Sequence, residues 1–328
     1  MNSTITSISG IEVGHYTDLT NGTGCTVVLC KNGAIGGVDV RGGSPGTRET
    51  ELLRPMRRVS KVHGVVLSGG SAYGLDASTG VVQYLESEGI GITAGPTIVP
   101  IVSSAILFDL GVGNPDVRPN ASDGISACKS ATSEPVPQGN FGAGTGATVG
   151  KILGIGSAMK GGIGSAFLRL PDGTSVGSIV AVNSWGGVVS HKDQSLLAGP
   201  LTGDPKRPTD TLTLLLESGP NPVGDALSNT TIGIVATDAT LTKEEANFLA
   251  QVSHDGLALS INPCHTIRDG DTMFCMSTSG RTASSDITSL CAAAVEVTAQ
   301  AVVNAVITAT DLFGFRSAST FRNDISCS

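Results

Sequence analysis

Hydrophobic and polar positions change their period several times along this chain. The first part alternates short apolar, β-branched runs with glycine turns: Cys25 to Cys30, Gly36 to Gly43 and Val65 to Leu67. Runs of that kind between glycines read as strands. Ser68 to Leu75 reads as a tight turn feeding a helix that continues to Glu86. The strand-like, glycine-punctuated pattern returns around Gly154 to Gly162 and Ser178 to Asn183. From about 190 to 229, polar turn residues dominate, with one apolar insert at Leu212 to Leu216. That composition predicts an exposed, mobile linker. A strand then begins abruptly at Thr230 and runs to Thr237. Thr242 and Glu245 form a capping box, opening a helix with Ala246, Leu249, Ala250 and Leu257 at helical spacing. Gly270 to Met276 reads as another strand, and a long Ala/Val helix from about Ser285 to Asp311 closes the pattern. This order of elements predicts stacked layers, either α/β or αββα.

The composition narrows the class. A chain of 328 residues is long enough to bury a substantial core. Aromatics make up only 4% while Gly occurs 44 times, so the core is expected to use Ala, Val, Ile and Leu with close backbone approaches. The formal net charge is −8, and no run of Lys or Arg exceeds two, as at Arg57-Arg58 and Lys206-Arg207. Without a basic footprint to offset phosphate charge, nucleic acid is not an expected partner. The seven Cys include no C-x-x-C pair, and Cys25 and Cys30 fall on opposite faces of one strand. They read as buried free thiols of a cytoplasmic protein. Met1 to Gly14 has no basic region followed by an apolar stretch, so no signal peptide is expected. The apolar stretch Ala292 to Thr310 is broken by Glu296, Gln300 and Asn304. It reads as a buried helix, with no membrane partner.

Several local motifs suggest chemistry and then fail their tests. The glycine-rich run from Gly142 to Lys151 invites a nucleotide reading. A P-loop needs Gly where Thr145 stands and Ser or Thr where Ile152 stands. A dinucleotide fingerprint needs a preceding strand, but residues 135–141 read as a loop, and Ala147 or Val149 occupies the place of the third glycine. The run reads instead as a loop delivering Lys151 to a pocket. Ser71 follows Gly69 as in a nucleophile elbow, but Tyr73 stands where the last glycine belongs. A tight turn is the simpler reading. The five His (15, 63, 191, 254, 265) lack the paired spacing of a zinc helix, so neither a metal nor an organic cofactor is expected.

Asn229-Thr230 differs from these. A hydroxyl residue sits where the polar segment meets an apolar strand, and Asp269 and Asp271 occupy a second loop-to-strand junction. By themselves these could be a loop and a turn, or an acidic cation site. Carboxylates at alternate positions of an extended chain would, however, point to one side.

Together with Ile11 to Asp18, Gly42 to Thr50, Ser68 to Leu75, Asn229 to Gly233 and His265 to Thr272, these positions make the chain resemble one family along essentially its whole length. It is the L-aminopeptidase/D-Ala-esterase-amidase family, which includes β-peptidyl aminopeptidases and the 6-aminohexanoate (nylon) oligomer hydrolases. The resemblance implies an αββα four-layer sandwich like that of N-terminal-nucleophile hydrolases, with different connectivity. It implies an inactive precursor that cuts itself between Asn229 and Thr230, giving an α chain of residues 1–229 and a β chain of residues 230–328 within one globular domain. Thr230 would then be the nucleophile, activated by its own freed α-amine. Asp269 and Asp271 would hold the nucleophile and its ammonium form, where some relatives have Ser and Glu. The double Asp looks most like the nylon-oligomer hydrolases. Asn183 matches an asparagine that stabilises the oxyanion, and Lys151 matches a lysine near the nucleophile. Several relatives supply a tyrosine hydroxyl before the glycine-rich loop; here the Tyr are 16, 73 and 84, and Phe108 lies in that region. Phe108 and Tyr73 are the candidate pocket residues.

The expected substrate is a small amide, short peptide or ω-amino-acid oligomer, with no cofactor. The expected assembly is a tetramer of αβ units. A β-peptidyl aminopeptidase is the nearest alternative activity. An unprocessed, non-catalytic binding homologue is the alternative of another class.

Overall fold

The computed structural model describes residues 2–218, 229–281 and 286–321. Its principal strands are β1 (Glu12–Asp18), β2 (Thr23–Val40), β3 (Lys61–Ser68), β4 (Val102–Ile106), β5 (Gly162–Arg169), β6 (Ser175–Asn183), β7 (Thr230–Thr237) and β8 (Thr272–Ser277). Its helices are α1 (Ala77–Ser87), α2 (Ala121–Lys129), α3 (Thr211–Ser218), α4 (Lys243–Ser260) and α5 (Ile287–Ile307). The strands pair in the order β5-β6-β7-β8-β2-β3-β4, with the short strand Thr47–Arg48 beyond β4 and β1 beside β2. β7 with β8 and β3 with β4 are parallel pairs, and the other pairs are antiparallel.

The 18-residue β2 joins the two halves of one continuous nine-stranded sheet, whose inner faces share a core as the two sheets of the sandwich. Its first part, up to Leu29, pairs with β1 and β3, and its last part, from Ile35, pairs with β8. The register shifts between Leu29 and Ala34, and Gly33 there has φ +77°, which a residue with a Cβ rarely adopts. The strand thus leaves one sheet and enters the other.

Alternation along the strands sorts side chains into three cores. Val180, Val182, Val235, Met273 and Cys275 meet α4 and α5 residues such as Leu249, Leu257, Val297 and Val302. Ile179, Ala181, Ile232, Ile234, Phe274 and Met276 face the other way, against Val28, Val65 and Leu67. Cys25, Val27, Leu29 and Val66 pack beneath Val81 and Leu85 of α1 and Ala127 of α2. Helices, sheet, sheet, helices is the αββα sandwich expected. Cys25 and Cys30 lie in different cores, on opposite faces of β2.

α4 begins at the Thr242/Glu245 capping box read from the sequence. α5 is long and apolar enough to span a membrane by composition alone, but it packs on β5 and β6 and buries Leu290, Val297 and Val302. The segment expected to be a mobile linker differs from that expectation where it is described. Leu196–Ala198 and Leu201–Thr202 form strands, Ala198 and Leu201 join the α4/α5 core, and the apolar insert becomes α3. The apolar side chains among its turns find that core, which outweighs the local polarity. Residues 219–228 of the linker, residue 285 at the expected helix start and Cys327 lie outside the described residues.

Phe274 is fully buried between the sheets. Phe274→Ala is expected to lower unfolding stability by about 3–5 kcal/mol, read by urea unfolding. A loss below about 1 kcal/mol would mean that the sheets do not close over this residue.

Candidate active site

Strand pairing assembles the site. β7 lies between β6 and β8, with Thr230 opposite Asn183 on one side. On the other side an isolated parallel bridge joins Asn229 to Asp269. Thr230 has the same strand parity as Ile232 and Ile234, so its side chain faces the gap between the sheets, at the end of their shared core. There it borders a cavity of about 180 Å³ with Ser44, Pro45, Gly46, Ser71, Ala72, Ile106 and Phe108. Thr230 itself is only 4% exposed. Gly270 leaves room for it: a Cβ there would come within 2.6 Å of the Ser44 carbonyl oxygen and 2.8 Å of Thr230 Oγ1.

At the junction, the Thr230 hydroxyl donates to the carbonyl oxygen of Asn229. The Gly270 N–H donates to the same oxygen at 3.1 Å. The Asn229 side chain is buried, and neither of its amide atoms has a hydrogen-bond partner. Such an unpaired buried amide costs about 1–3 kcal/mol.

The two aspartates flank this point without bonding to the hydroxyl. Asp271 Oδ1 accepts from Thr231 N at 2.6 Å. Its Oδ2 accepts from the His265 N–H at 3.2 Å and lies 2.7 Å from His265 Nδ1. Asp269 accepts from Trp185 N at 3.1 Å, from Thr266 N at 3.1 Å and from the Thr266 hydroxyl. Burial, and then the neighbouring Asp271 carboxylate, push Asp269 up to about 6.

Asn183 and Lys151 are joined on the other flank. Asn183 Oδ1 accepts from Thr148 N at 3.0 Å and from Lys151 Nζ at 2.8 Å, and Nζ also donates to the Asn183 carbonyl at 2.9 Å. Asn183 Nδ2 donates to the Phe108 carbonyl at 2.9 Å. Burial brings Lys151 down to about 7, against the opposing pull of the Asp269 and Asp109 carboxylates. The glycine-rich loop therefore does carry a lysine inward. A second buried lysine shapes that loop: Lys160 Nζ donates to the carbonyls of Gly144, Ala147 and Gly161 at 2.8, 2.9 and 3.0 Å. Asp109, held by Gly70 N and the Thr23 hydroxyl at 2.7 Å each, ties the Ser71 turn to the strands.

Seven of the eight residues singled out from the sequence thus converge: Asn229, Thr230, Asp269, Asp271, Asn183, Lys151 and Phe108. Tyr73 does not join them. Ser71 and Ala72 reach the cavity, but the turn through Gly70 and Ser71, both at positive φ, sends Tyr73 outward. It is 61% exposed, with the Arg118 guanidinium 4.2 Å from its ring. Three residues gained no role from the sequence: His265, Thr266 and Gly270. His265 and Thr266 act through backbone as well as side chain, and Gly270 through its N–H. His265 has φ +54°, which turns both its N–H and its ring onto Asp271, and no residue pattern announces that conformation.

A profile of Peptidase family S58 matches residues 3–320. The chain belongs to this family. A protein of Mycobacterium leprae described as an uncharacterized aminopeptidase is 41% identical over 352 residues, covering 96% of this chain and 92% of that protein. A 6-aminohexanoate-oligomer endohydrolase of Agromyces is 32% identical, covering 82% of this chain and 73% of that enzyme. Among solved structures, the L-aminopeptidase D-Ala-esterase/amidase of Ochrobactrum anthropi, described as a variant of the Ntn hydrolase fold, superposes with a TM-score of 0.72. It is 19% identical, covering 99% of this chain and 94% of that one, and so speaks to the fold. The S58 chain is a hydrolase of peptide or amide bonds.

The buried lysines make stability depend on pH. Burial lowers Lys160 to about 7 in the folded protein, whereas an unfolded lysine keeps its proton to about 10.4. Between these values the unfolded state binds more protons, so stability rises with pH and the gain is lost as pH falls towards 7. Relative to Lys160→Met, the native protein should gain stability from pH 7 to 9 with a slope of up to about 1.4 kcal/mol per pH unit, read by urea unfolding. A pH-independent difference would show that Lys160 keeps an ordinary pKa.

Proposed function

We propose that this S58 hydrolase cuts itself between Asn229 and Thr230 and then works through Thr230 as an N-terminal nucleophile, with residues 1–229 and 230–328 as its two chains. The observation that carries this reading is the junction contact. The Thr230 hydroxyl lies against the carbonyl group of the preceding residue, and the Gly270 N–H points at the same oxygen. A donor there would stabilise the negative charge that develops when Oγ1 adds to the carbonyl carbon.

The cut follows in balanced steps. Oγ1 adds to the Asn229 carbonyl carbon and gives its proton to a neighbouring base. The C–N bond breaks as the Thr230 nitrogen takes up a proton, leaving Asn229 esterified to Oγ1. Water hydrolyses this ester, yielding the Asn229 carboxylate and a free Thr230 amine. Relief of the unpaired Asn229 amide supports the direction of the change.

Before the cut, the Thr230 nitrogen is an amide with no basicity. Afterwards it is an α-amine, with a reference pKa of about 7.7–8.0. It can take the hydroxyl proton as Oγ1 attacks a substrate carbonyl, forming an acyl-enzyme that water then releases. Asp269 and Asp271 hold the ammonium form that results. The Asn183 amide, now engaged by the Phe108 carbonyl, is the donor within reach of the oxyanion once that contact yields. Lys151, with a pKa near 7, exchanges a proton in the working range beside it.

The substrate class is amides of short peptides or ω-amino-acid oligomers. Pro45, Ala72, Ile106 and Phe108 make the cavity wall largely apolar, and its described lining has no charged side chain. Such a wall suits a methylene chain next to the scissile bond better than an α-ammonium group. The similarity to the Agromyces oligomer endohydrolase supports the same choice.

Purified protein should run as two bands on a denaturing gel, with Thr230 at the N-terminus of the smaller one by mass analysis. Thr230→Ala should stay whole and lack hydrolase activity. A single uncut chain with full activity would overturn the mechanism. Among anilides of L-, D- and β-amino acids and 6-aminohexanoate oligomers, the oligomers should be turned over best. Preference for β-aminoacyl anilides would assign a β-peptidyl aminopeptidase instead.

A further inference from the structure

Beside the proposed nucleophile, Asp271 shares a cluster with Cys264 and His265, two residues that the hydrolytic mechanism does not use. Cys264 Sγ, His265 Nδ1 and Asp271 Oδ2 offer three ligand atoms lying within 4.8 Å of one another. Their edges measure 3.5 Å from sulfur to Nδ1, 2.7 Å from Nδ1 to Oδ2 and 3.7 Å from sulfur to Oδ2. A tetrahedral zinc ion, with bonds of about 2.3 Å to sulfur and about 2.0–2.1 Å to nitrogen and oxygen, sets ligand edges of about 3.3–3.6 Å. Two of the three edges are already close to that. Only the Nδ1–Oδ2 edge must widen, by about 0.6 Å, as a cation replaces the proton between those atoms.

The cluster is reachable. The His265 side chain is 19% exposed and Cys264 is partly exposed, while Asp271 forms the buried floor at 2%. With three protein ligands, water would complete a tetrahedral set. The donor set of thiol, imidazole and carboxylate suits a borderline-soft divalent cation and does not suit magnesium or calcium, which take oxygen ligands. Cys264 and His265 are adjacent in sequence and Asp271 follows six residues later. The positive φ of His265 turns its ring back over its own loop.

We propose that Cys264, His265 and Asp271 form a binding site for a divalent cation of the zinc class, and that filling it shuts the adjacent active site. The first half stands on the cluster alone; the second rests on the proposed catalytic use of Asp271. Asp271 Oδ1 holds the N–H of Thr231, next to the nucleophile, and Oδ2 belongs to the cluster. A cation on Oδ2 neutralises that carboxylate and withdraws it from the Thr230 ammonium. Binding releases the thiol proton, so occupancy weakens as pH falls.

Purified, chelator-treated protein is titrated with Co²⁺ and then with Zn²⁺. Co²⁺ should produce a thiolate charge-transfer absorption that saturates at one equivalent per chain. Zn²⁺ should abolish the absorption and inhibit amide hydrolysis with the same midpoint. Cys264→Ser should lose the absorption, keep its metal-free turnover, and shift the Zn²⁺ inhibition midpoint upward by at least about tenfold. Cys291→Ser, which alters a partly exposed thiol outside the cluster, should keep the absorption and the midpoint. No thiolate absorption at one equivalent, or absorption unchanged in Cys264→Ser, overturns the site. Absorption without Zn²⁺ inhibition overturns its coupling to catalysis. The Thr230→Ala chain should bind Co²⁺ with the same absorption, so the site is tested even if the threonine mechanism fails.

Discussion

The site depends on the register of β7 between β6 and β8. Thr230 stands opposite Asn183, and Asn229 bridges to Asp269, so one strand end meets an amide on one side and a carboxylate loop on the other. A shift of one residue would turn Thr230 away from the gap between the sheets and carry Ile232 and Ile234 out of the core they share with Val65 and Leu67. Burial of those isoleucines thus holds the hydroxyl in place. The parallel pairing of β7 with β8 matters equally, because it brings the ends of both strands that carry Thr230 and Asp271 to the same edge of the sandwich.

The surroundings of Thr230 are buried and polar at once. Lys151, Asn183, Asp269 and Asp271 are all almost fully buried. Burial lowers the lysine and raises Asp269, so both titrate near neutrality. Groups poised there exchange protons cheaply, which suits acid–base chemistry. The cost is a set of buried polar atoms needing partners, and much of the local backbone meets that need. The carbonyls around Lys160 and the N–H groups of Trp185, Thr231, Thr266 and Gly270 serve as donors and acceptors that no side-chain motif specifies.

A second consequence of this crowding is that Asp271 belongs to two neighbourhoods. One of its oxygens faces the strand bearing Thr230 and the other faces Cys264 and His265. The Asp271 carboxylate is thus the shortest link between that cluster and the backbone of Thr231, next to Thr230.

The sequence by itself determined the strands, the capped helix, the layered class, and five of the polar residues around Thr230 together with Phe108. These were legible because alternation, capping and long family-like strings are local properties of the chain. Only the tertiary structure decided the rest. It folded the polar stretch after residue 190 onto the core, because Ala198 and Leu201 gain more from burial than their turn-rich neighbours lose. It sent Tyr73 to the surface, because positive φ at Gly70 and Ser71 redirects the chain before that ring. It brought His265 and Cys264 onto Asp271, through a left-handed backbone turn within one loop that no spacing of histidines foretells. Pattern and composition report which face a residue takes. Which partners wait on that face depends on strands far apart in sequence meeting in one register.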